Sequence, residues 1–313
     1  MTKRTIITTG LTALGCVTLV WVLLPRRSSV PTPAGLGFVY QGRTIQDWVN
    51  SVRTANKDEN PEIESVVAIG APAVPYLVMR LEDRSSYLVR GKLYRRAWMA
   101  LPARLQGILP SPPPLYPPMV REGELGAVAY TLGQIGPEAW HAVPALIQIA
   151  GDPKLHPSPR MFAVSALAQI GPAARSSVPT LLNCLKDKHS DAHYLSLRTQ
   201  AARALARIGE PEPRAVPQLE LLLTSTDAFA RSMAAVALWR MDPSRTNVVR
   251  VWDFLQSPDA NLRRNTATGL GNVGELAADF APMLQTLLDE SNDVSRAAEY
   301  ALGRIQGPSP TNR

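Results

Sequence analysis

The sequence predicts an all-α chain, an α-solenoid in which helix pairs stack into a right-handed superhelix behind one N-terminal transmembrane helix. Three observations carry that prediction. The first is a recurring phrase, Ile-Gly followed by proline or alanine and then by Val-Pro-x-Leu. It reads IGAPAVPYL from 69, IGPEAWHAVPAL from 135, IGPAARSSVPTL from 170 and IGEPEPRAVPQL from 208. Self-similarity of this kind marks a repeat array. The second is the spacing. Ile69 and Ile135 are 66 residues apart, Ile170 and Ile208 follow after 35 and 38, and the degenerate tags Met241, Val273 and Ile305 after 33, 32 and 32. A unit of about 35 residues suits a helical pair, and the first interval is read as two units, giving seven or eight pairs. The third is the three- or four-residue recurrence of apolar side chains within each unit, as in Val143 to Ile149 and Met161 to Ile170. That is the period of amphipathic helices, not of strands.

Residues 1–24 are the predicted anchor. Thr5 to Leu24 is a 20-residue run without charge, bracketed by Lys3-Arg4 and Pro25-Arg26-Arg27. Twenty residues at a rise of about 1.5 Å each span a hydrocarbon core of about 30 Å. A cleavable signal peptide has a shorter apolar region and a small-residue site soon after it, so an uncleaved anchor is favoured. Ala13-Leu14-Gly15-Cys16 resembles part of a lipoprotein processing box, but the leucine three places before the cysteine is missing and the apolar run continues beyond it. Lipidation at Cys16 stays open as the lesser reading. Two basic residues on each side nearly balance the positive-inside count. The very short N-terminal tail then favours a solenoid on the outer, periplasmic side.

Residues 25–43 contain Pro25, Pro31, Pro33, Ser28, Ser29, Gly35 and Gly37, and read as a tether. The array is expected from 44 to 307 and a disordered tail from 308 to 313. In each unit the glycine after the last apolar residue suits a left-handed helix end, and proline just beyond it suits the first turn of the next helix. The second helices keep a strict register. Arg160, Arg198, Arg231 and Arg263 lie ten residues before their tags, small residues follow at plus three and plus six, and Leu167, Leu205, Leu238 or Leu270 at plus seven. Small residues on one stripe let helices approach closely. Asp227 and Asp259 stand four residues before Arg231 and Arg263, which fits an aspartate cap and an arginine reaching to the adjacent layer. Pro110 to Pro118 interrupts the second unit as a stiff insertion that could also offer a polyproline ligand.

The pattern A-x-x-A-L-x-x-I-G-P-x-A-x-x-x-V-P-x-L resembles the HEAT repeat over about 44 to 307. More narrowly, Tyr40-Gln41-Gly42-Arg43, with Trp48 after it, is similar to the short element that opens bacterial membrane-tethered HEAT-repeat proteins. The resemblance implies a stacked helical scaffold. It does not choose among scaffolds, transport adaptors and the few enzymes built on this fold.

Composition narrows the function. The pI of about 9.6 and net charge of +7 invite a nucleic-acid reading, yet four of the 33 basic residues and none of the 26 acidic ones lie in the first 27 positions. The solenoid is only mildly basic, which weakens a general nucleic-acid footprint. Iron-binding HEAT-like hydroxylases carry His-Glu pairs, whereas His141, His156, His189 and His193 precede no glutamate, so no metal and no cofactor are expected. His189, Asp191 and His193 read as a solvated loop. No nucleophile elbow or phosphate-binding loop appears, and Gly269 to Gly274 reads as a degenerate repeat helix rather than a dinucleotide fingerprint. Cys184 lies on an apolar stripe and is expected to be a small buried core residue. The densest charge is at 80–104, where seven basic residues face two acidic ones. Arg90, Lys92, Arg95, Arg96 and Trp98 are therefore the predicted partner contacts, weighed against a solvated face or one apposed to anionic lipid. The function expected is a non-enzymatic, membrane-tethered scaffold that binds a protein partner on the concave face of the second helices. The alternative is an anionic-ligand or nucleic-acid binder of the HEAT-like DNA glycosylase type, working through 80–104.

Overall fold

The computed structural model describes residues 39–52, 60–82, 98–100, 118–187, 197–290 and 292–306. These form helical hairpins stacked in a row. The first helices are α1 (Ile45–Ser51), α3 (Val74–Glu82), α5 (Val143–Gly151), α7 (Val178–Leu185), α9 (Val216–Leu223), α11 (Arg245–Leu255) and α13 (Ala281–Thr286). The second helices are α2 (Glu62–Ile69), α4 (Pro118–Ile135), α6 (Pro157–Ile170), α8 (Leu197–Ile208), α10 (Ala228–Met241), α12 (Ala260–Val273) and α14 (Asn292–Gln306). Each second helix packs on the next, and α8 even reaches α12 past α10, whereas the first helices scarcely meet between α7, α9 and α11. The array therefore curves with its second helices on the inner side.

The predicted register explains the close inner layer. Ala163, Ala166, Ala201, Ala204, Ala234 and Ala237, with Leu167, Leu205, Leu238 and Leu270, are all buried. Their short side chains bring helix axes together while the leucines fill the space between layers. The expected arginine bridges also form. Asp227 and Asp259 cap α10 and α12 by accepting from the Phe229 and Asn261 amides, each at 2.9 Å. Arg231 donates to Asp259 Oδ2 of the next layer at 3.2 Å, Arg160 to Asp187 Oδ2 at 2.9 Å, and Arg263 to Glu290. Each arginine also holds a carbonyl ahead of its own helix, Arg160 Nε that of Ala150 in the last turn of α5 at 3.0 Å, and Arg231 and Arg263 those of Ser225 and Ser257. Periodic side chains thus make periodic contacts.

Between most layers the chain leaves a second helix through glycine, makes a 3₁₀ turn, and enters the next first helix at Val-Pro or Ala-Pro; α10 instead ends on Asp242 and leads directly to α11. Gly70, Gly171 and Gly274 have φ of 70, 75 and 77° with ψ of −137, −140 and −142°. This is the mirror-β region, not the left-handed helical end that the sequence suggested. It is closed even to asparagine, because a Cβ there crowds the peptide units of its own chain neighbours whatever the side chain offers in return.

Two expectations need correction. The interval from Ile69 to Ile135 does not hold two stacked units: α2 packs directly on α4, and the Ala71 amide donates to Glu138 Oε2 at 3.3 Å. Those tags belong to adjacent layers, and the surplus falls between α3 and α4. Tag spacing alone cannot separate an added layer from an added excursion of equal length. Nor is the chain all-α among its described residues, or tether as far as 43. Val39–Tyr40 pairs antiparallel with Arg43–Thr44, and the connection uses Gln41 and Gly42 at φ of 48 and 76°. Positive φ at both central residues is what a type I′ hairpin turn requires. Trp48 secures this ribbon: its indole N–H donates to Tyr40 O at 2.9 Å, its ring meets Tyr40 edge-on, and the Arg43 guanidinium lies 4.3 Å over its face. The Tyr-x-Gly-Arg element is a folded lid on the first layer. The anchor at 5–24, the tether before 39, the insertion at 110–117 and the tail at 308–313 lie outside the described residues. Among the described residues no single helix is long and apolar enough to cross a membrane.

Candidate functional site

The second helices bury their small-residue stripe against one another and keep solvent contact along two columns. One column lies one place before each tag: Gln134, Gln169, Arg207, Arg240, Asn272 and Arg304. The other lies five places before it: Tyr130, Ser165, Arg203, Val236, Thr268 and Tyr300. Positions four apart share a helix face, so each helix adds one residue to each column. All but Val236 are partly or fully exposed. The columns run through six successive layers on the inner side, and neither contains a carboxylate.

Neighbouring layers are joined along these columns. Gln134 Nε2 donates to Gln169 Oε1 at 3.2 Å, and the Tyr130 ring meets Phe162 edge-on at 6.1 Å. Toward the C-terminal end the face becomes basic. Arg203 reaches Gln200 Oε1 only at 3.4 Å, and its buried Nε has no partner. Burial pushes the Arg203 guanidinium below the ordinary arginine range, with the Tyr300 hydroxyl acting in the opposite direction. Arg207 is lowered likewise, by burial first and then by Arg203, with Arg304 adding to the effect. Helix α12 carries glycine on both flanks, and α10 and α14 each pack close against it there. A Cβ at Gly269 would meet Met233 Cε at 2.8 Å, and one at Gly271 would meet Tyr300 Cε1 at 2.7 Å. Tyr300 lies in the Gly271 notch and donates to Asn272 Oδ1 at 3.1 Å. The Arg240 guanidinium fills a similar notch at Gly209, beside its neighbour Trp239, and burial lowers it too.

Residues 143–239 match the family model described as HEAT repeats. Over that stretch the chain is similar to HEAT repeats. No curated protein matches the chain. Among solved structures, an engineered protein is 23% identical with a TM-score of 0.36, covering 59% of this chain and 91% of its own. The complex of CpcE and CpcF of phycocyanin lyase from Nostoc is 19% identical with a TM-score of 0.35, over 62% of this chain and 97% of its own. Human deoxyhypusine hydroxylase is 17% identical with a TM-score of 0.30, over 84% and 96%. At these values the likenesses bear on neither activity nor partner.

The helical array accounts for most of the remaining aromatic, histidine and cysteine side chains. Trp239 and Trp252 pack on Phe280, with centroids 5.0 and 6.2 Å apart, and Trp140 stacks on His141 at the surface. These tryptophans do not gather in one groove. His156 caps α6, accepting from the Ser158 amide at 3.3 Å. Cys184 is buried as expected, and burial pushes its thiol up to about 11, against the smaller opposing effect of Arg160. Among the described residues no cluster of His, Cys, Asp or Glu could hold a metal ion. Of the predicted contacts, Arg90, Lys92, Arg95 and Arg96 lie outside the described residues. Trp98 stands half-buried in a helical turn beside Met99, which exposes 64% of its surface. The inner columns form no local charge cluster in the sequence, unlike the 80–104 segment. The signal was available one and five places before each tag.

Proposed function

We propose that this HEAT array is a non-enzymatic scaffold, a right-handed superhelix held at a membrane by residues 5–24, with the solenoid on its outer side. It captures a protein partner along the inner face of the second helices. One observation carries the reading: two solvent-accessible columns continue through six layers of a preformed stack. An extended surface that is already ordered loses little entropy when it is covered, so a long, shallow contact is enough for specific binding.

The test is proximity labelling from the intact anchored protein, repeated with Tyr130→Ala/Gln169→Ala and with Arg95→Ala/Arg96→Ala. The proposal expects labelled neighbours to be lost with the first pair and kept with the second. Loss with the second pair alone would move the contact to the 80–104 segment. Resistance of residues 1–24 to alkaline extraction, and protease access to the array from outside, test the anchor and its orientation.

A further inference from the structure

We propose that the C-terminal half of the inner face, from α8 to α14, is a docking site for an acidic peptide segment, with Arg203, Arg207 and Arg304 as its anchors and Tyr300 as its floor. This rests on the scaffold reading and specifies what part of the partner the face takes.

The placement is geometric. Arg203 and Arg207 lie four apart on α8, and Tyr300 and Arg304 four apart on α14, so each helix presents a pair to the same concavity. The glycines of α12 let α10 and α14 pack close against it, and α8 touches α12 directly past α10. Arg304 stands close enough to Arg207 to act on it, and Tyr300 acts on both α8 arginines. Arg240 adds a fourth positive charge on the intervening helix.

The charge is uncompensated. Between layers, several described arginines find acids: Arg160 with Asp187, Arg231 with Asp259, Arg250 with Glu220, Arg263 with Glu290. None of Arg203, Arg207, Arg240 and Arg304 takes part in an ion pair there, and buried Nε atoms of Arg203 and Arg240 have no hydrogen-bond acceptor. A desolvated guanidinium without a counter-ion is costly in the free protein. Several such groups converging on one concavity gain most from a run of carboxylates, which match the guanidinium fork with paired charge-assisted bonds. The N-terminal half of the columns, Tyr130, Gln134, Ser165 and Gln169, carries no charge. The selectivity for acid is thus confined to one half of the face.

The experiment uses the full-length chain in non-ionic detergent and a fluorescein-labelled hexaglutamate peptide, with hexaglutamine as the neutral counterpart. Anisotropy should report saturable binding of hexaglutamate, and little of hexaglutamine. The affinity should fall about 10-fold or more in Arg203→Gln/Arg207→Gln and at least several-fold between 50 and 300 mM salt. Circular dichroism should find the double variant folded and no less stable, since the substitution removes desolvated charge. Equal affinity of the variant, or equal binding of both peptides, overturns the proposal. Displacement of hexaglutamate by duplex DNA at lower concentration than by unlabelled peptide also overturns it, assigning the face to nucleic acid. If proximity labelling survives Arg203→Gln/Arg207→Gln but is lost with Tyr130→Ala/Gln169→Ala, this inference fails while the scaffold reading stands.

Discussion

Substituting Gly171 by alanine should destabilise the array although the added methyl group touches nothing. Gly171 has φ 75° and ψ −140°, and a Cβ there would meet no atom within 4 Å. The whole effect is therefore backbone strain, about 1 to 3 kcal/mol in this region of conformational space. About 0.4 to 1 kcal/mol returns through the stiffer unfolded chain, so the net loss lies between about 0 and 2.6 kcal/mol, centred near 1.3 kcal/mol. Gly303 supplies the opposite case, since it lies inside α14 and a Cβ there also meets nothing within 4 Å. Gly303→Ala should stabilise by about 1 kcal/mol, the ordinary helix preference of alanine over glycine. Urea unfolding followed by ellipticity at 222 nm should place the midpoints of the two variants on opposite sides of the wild type. Asparagine at 171 should be no better than alanine, because it tolerates the left-handed helical region and not this one. Coincident midpoints, or rescue by asparagine, would refute the assignment of this glycine to conformation.

Further outcomes follow from the same contacts. The Arg160–Asp187 bridge has side chains only 12% and 10% exposed, so a double-mutant cycle with alanine should give a coupling of roughly 1 to 3 kcal/mol; a coupling near zero would show that the bridge contributes no more than a surface pair. The Cys184 thiol, pushed up to about 11 by burial, stays protonated while an unfolded thiol ionises. Its contribution to stability is complete below pH 9 and is lost as pH rises from 9 toward 11, so Cys184→Ala should flatten the alkaline limb of the stability profile. Trp48→Ala removes a ring that is 8% exposed and its bond to Tyr40 O, which should cost about 3 to 5 kcal/mol locally. Hydrogen exchange should speed up over 39–52 and remain unchanged over 143–239. Phe280→Ala empties a site that is 0% exposed between Trp239 and Trp252, and should cost about 3 to 5 kcal/mol by thermal unfolding.

What could be read in advance was whatever the repeats state several times over. The small-residue stripe, the interlayer arginines and the aspartate caps recur, so each copy tests the others, and Ala163, Arg160, Asp227 and Cys184 stand where their spacing required. Features that occur once were not legible in that way. The ribbon at 39–44 depends on a positive φ at Gln41, which a glutamine does not advertise. The identity of the 69–135 interval depends on which helix packs on which, and spacing is blind to that. The basic inner face was obscured for another reason. Arg240 follows Arg207 after 33 residues and Arg304 follows Arg240 after 64, and only folding makes them neighbours. Local charge density therefore pointed to 80–104 instead.

The paired omissions at Gly269 and Gly271 have an implication for how such a stack acquires its shape. With no methyl on either flank, α12 admits Met233 from one side and Tyr300 from the other, as α4 admits Phe162 at Gly126, so the closeness of each seam is set where a glycine faces the next helix. The curvature of the inner face is then set in part by which positions lack a side chain. Restoring alanine at one of them would open the arc by prising apart one seam, and a chain could be retuned to a wider or narrower guest without altering any residue that touches it.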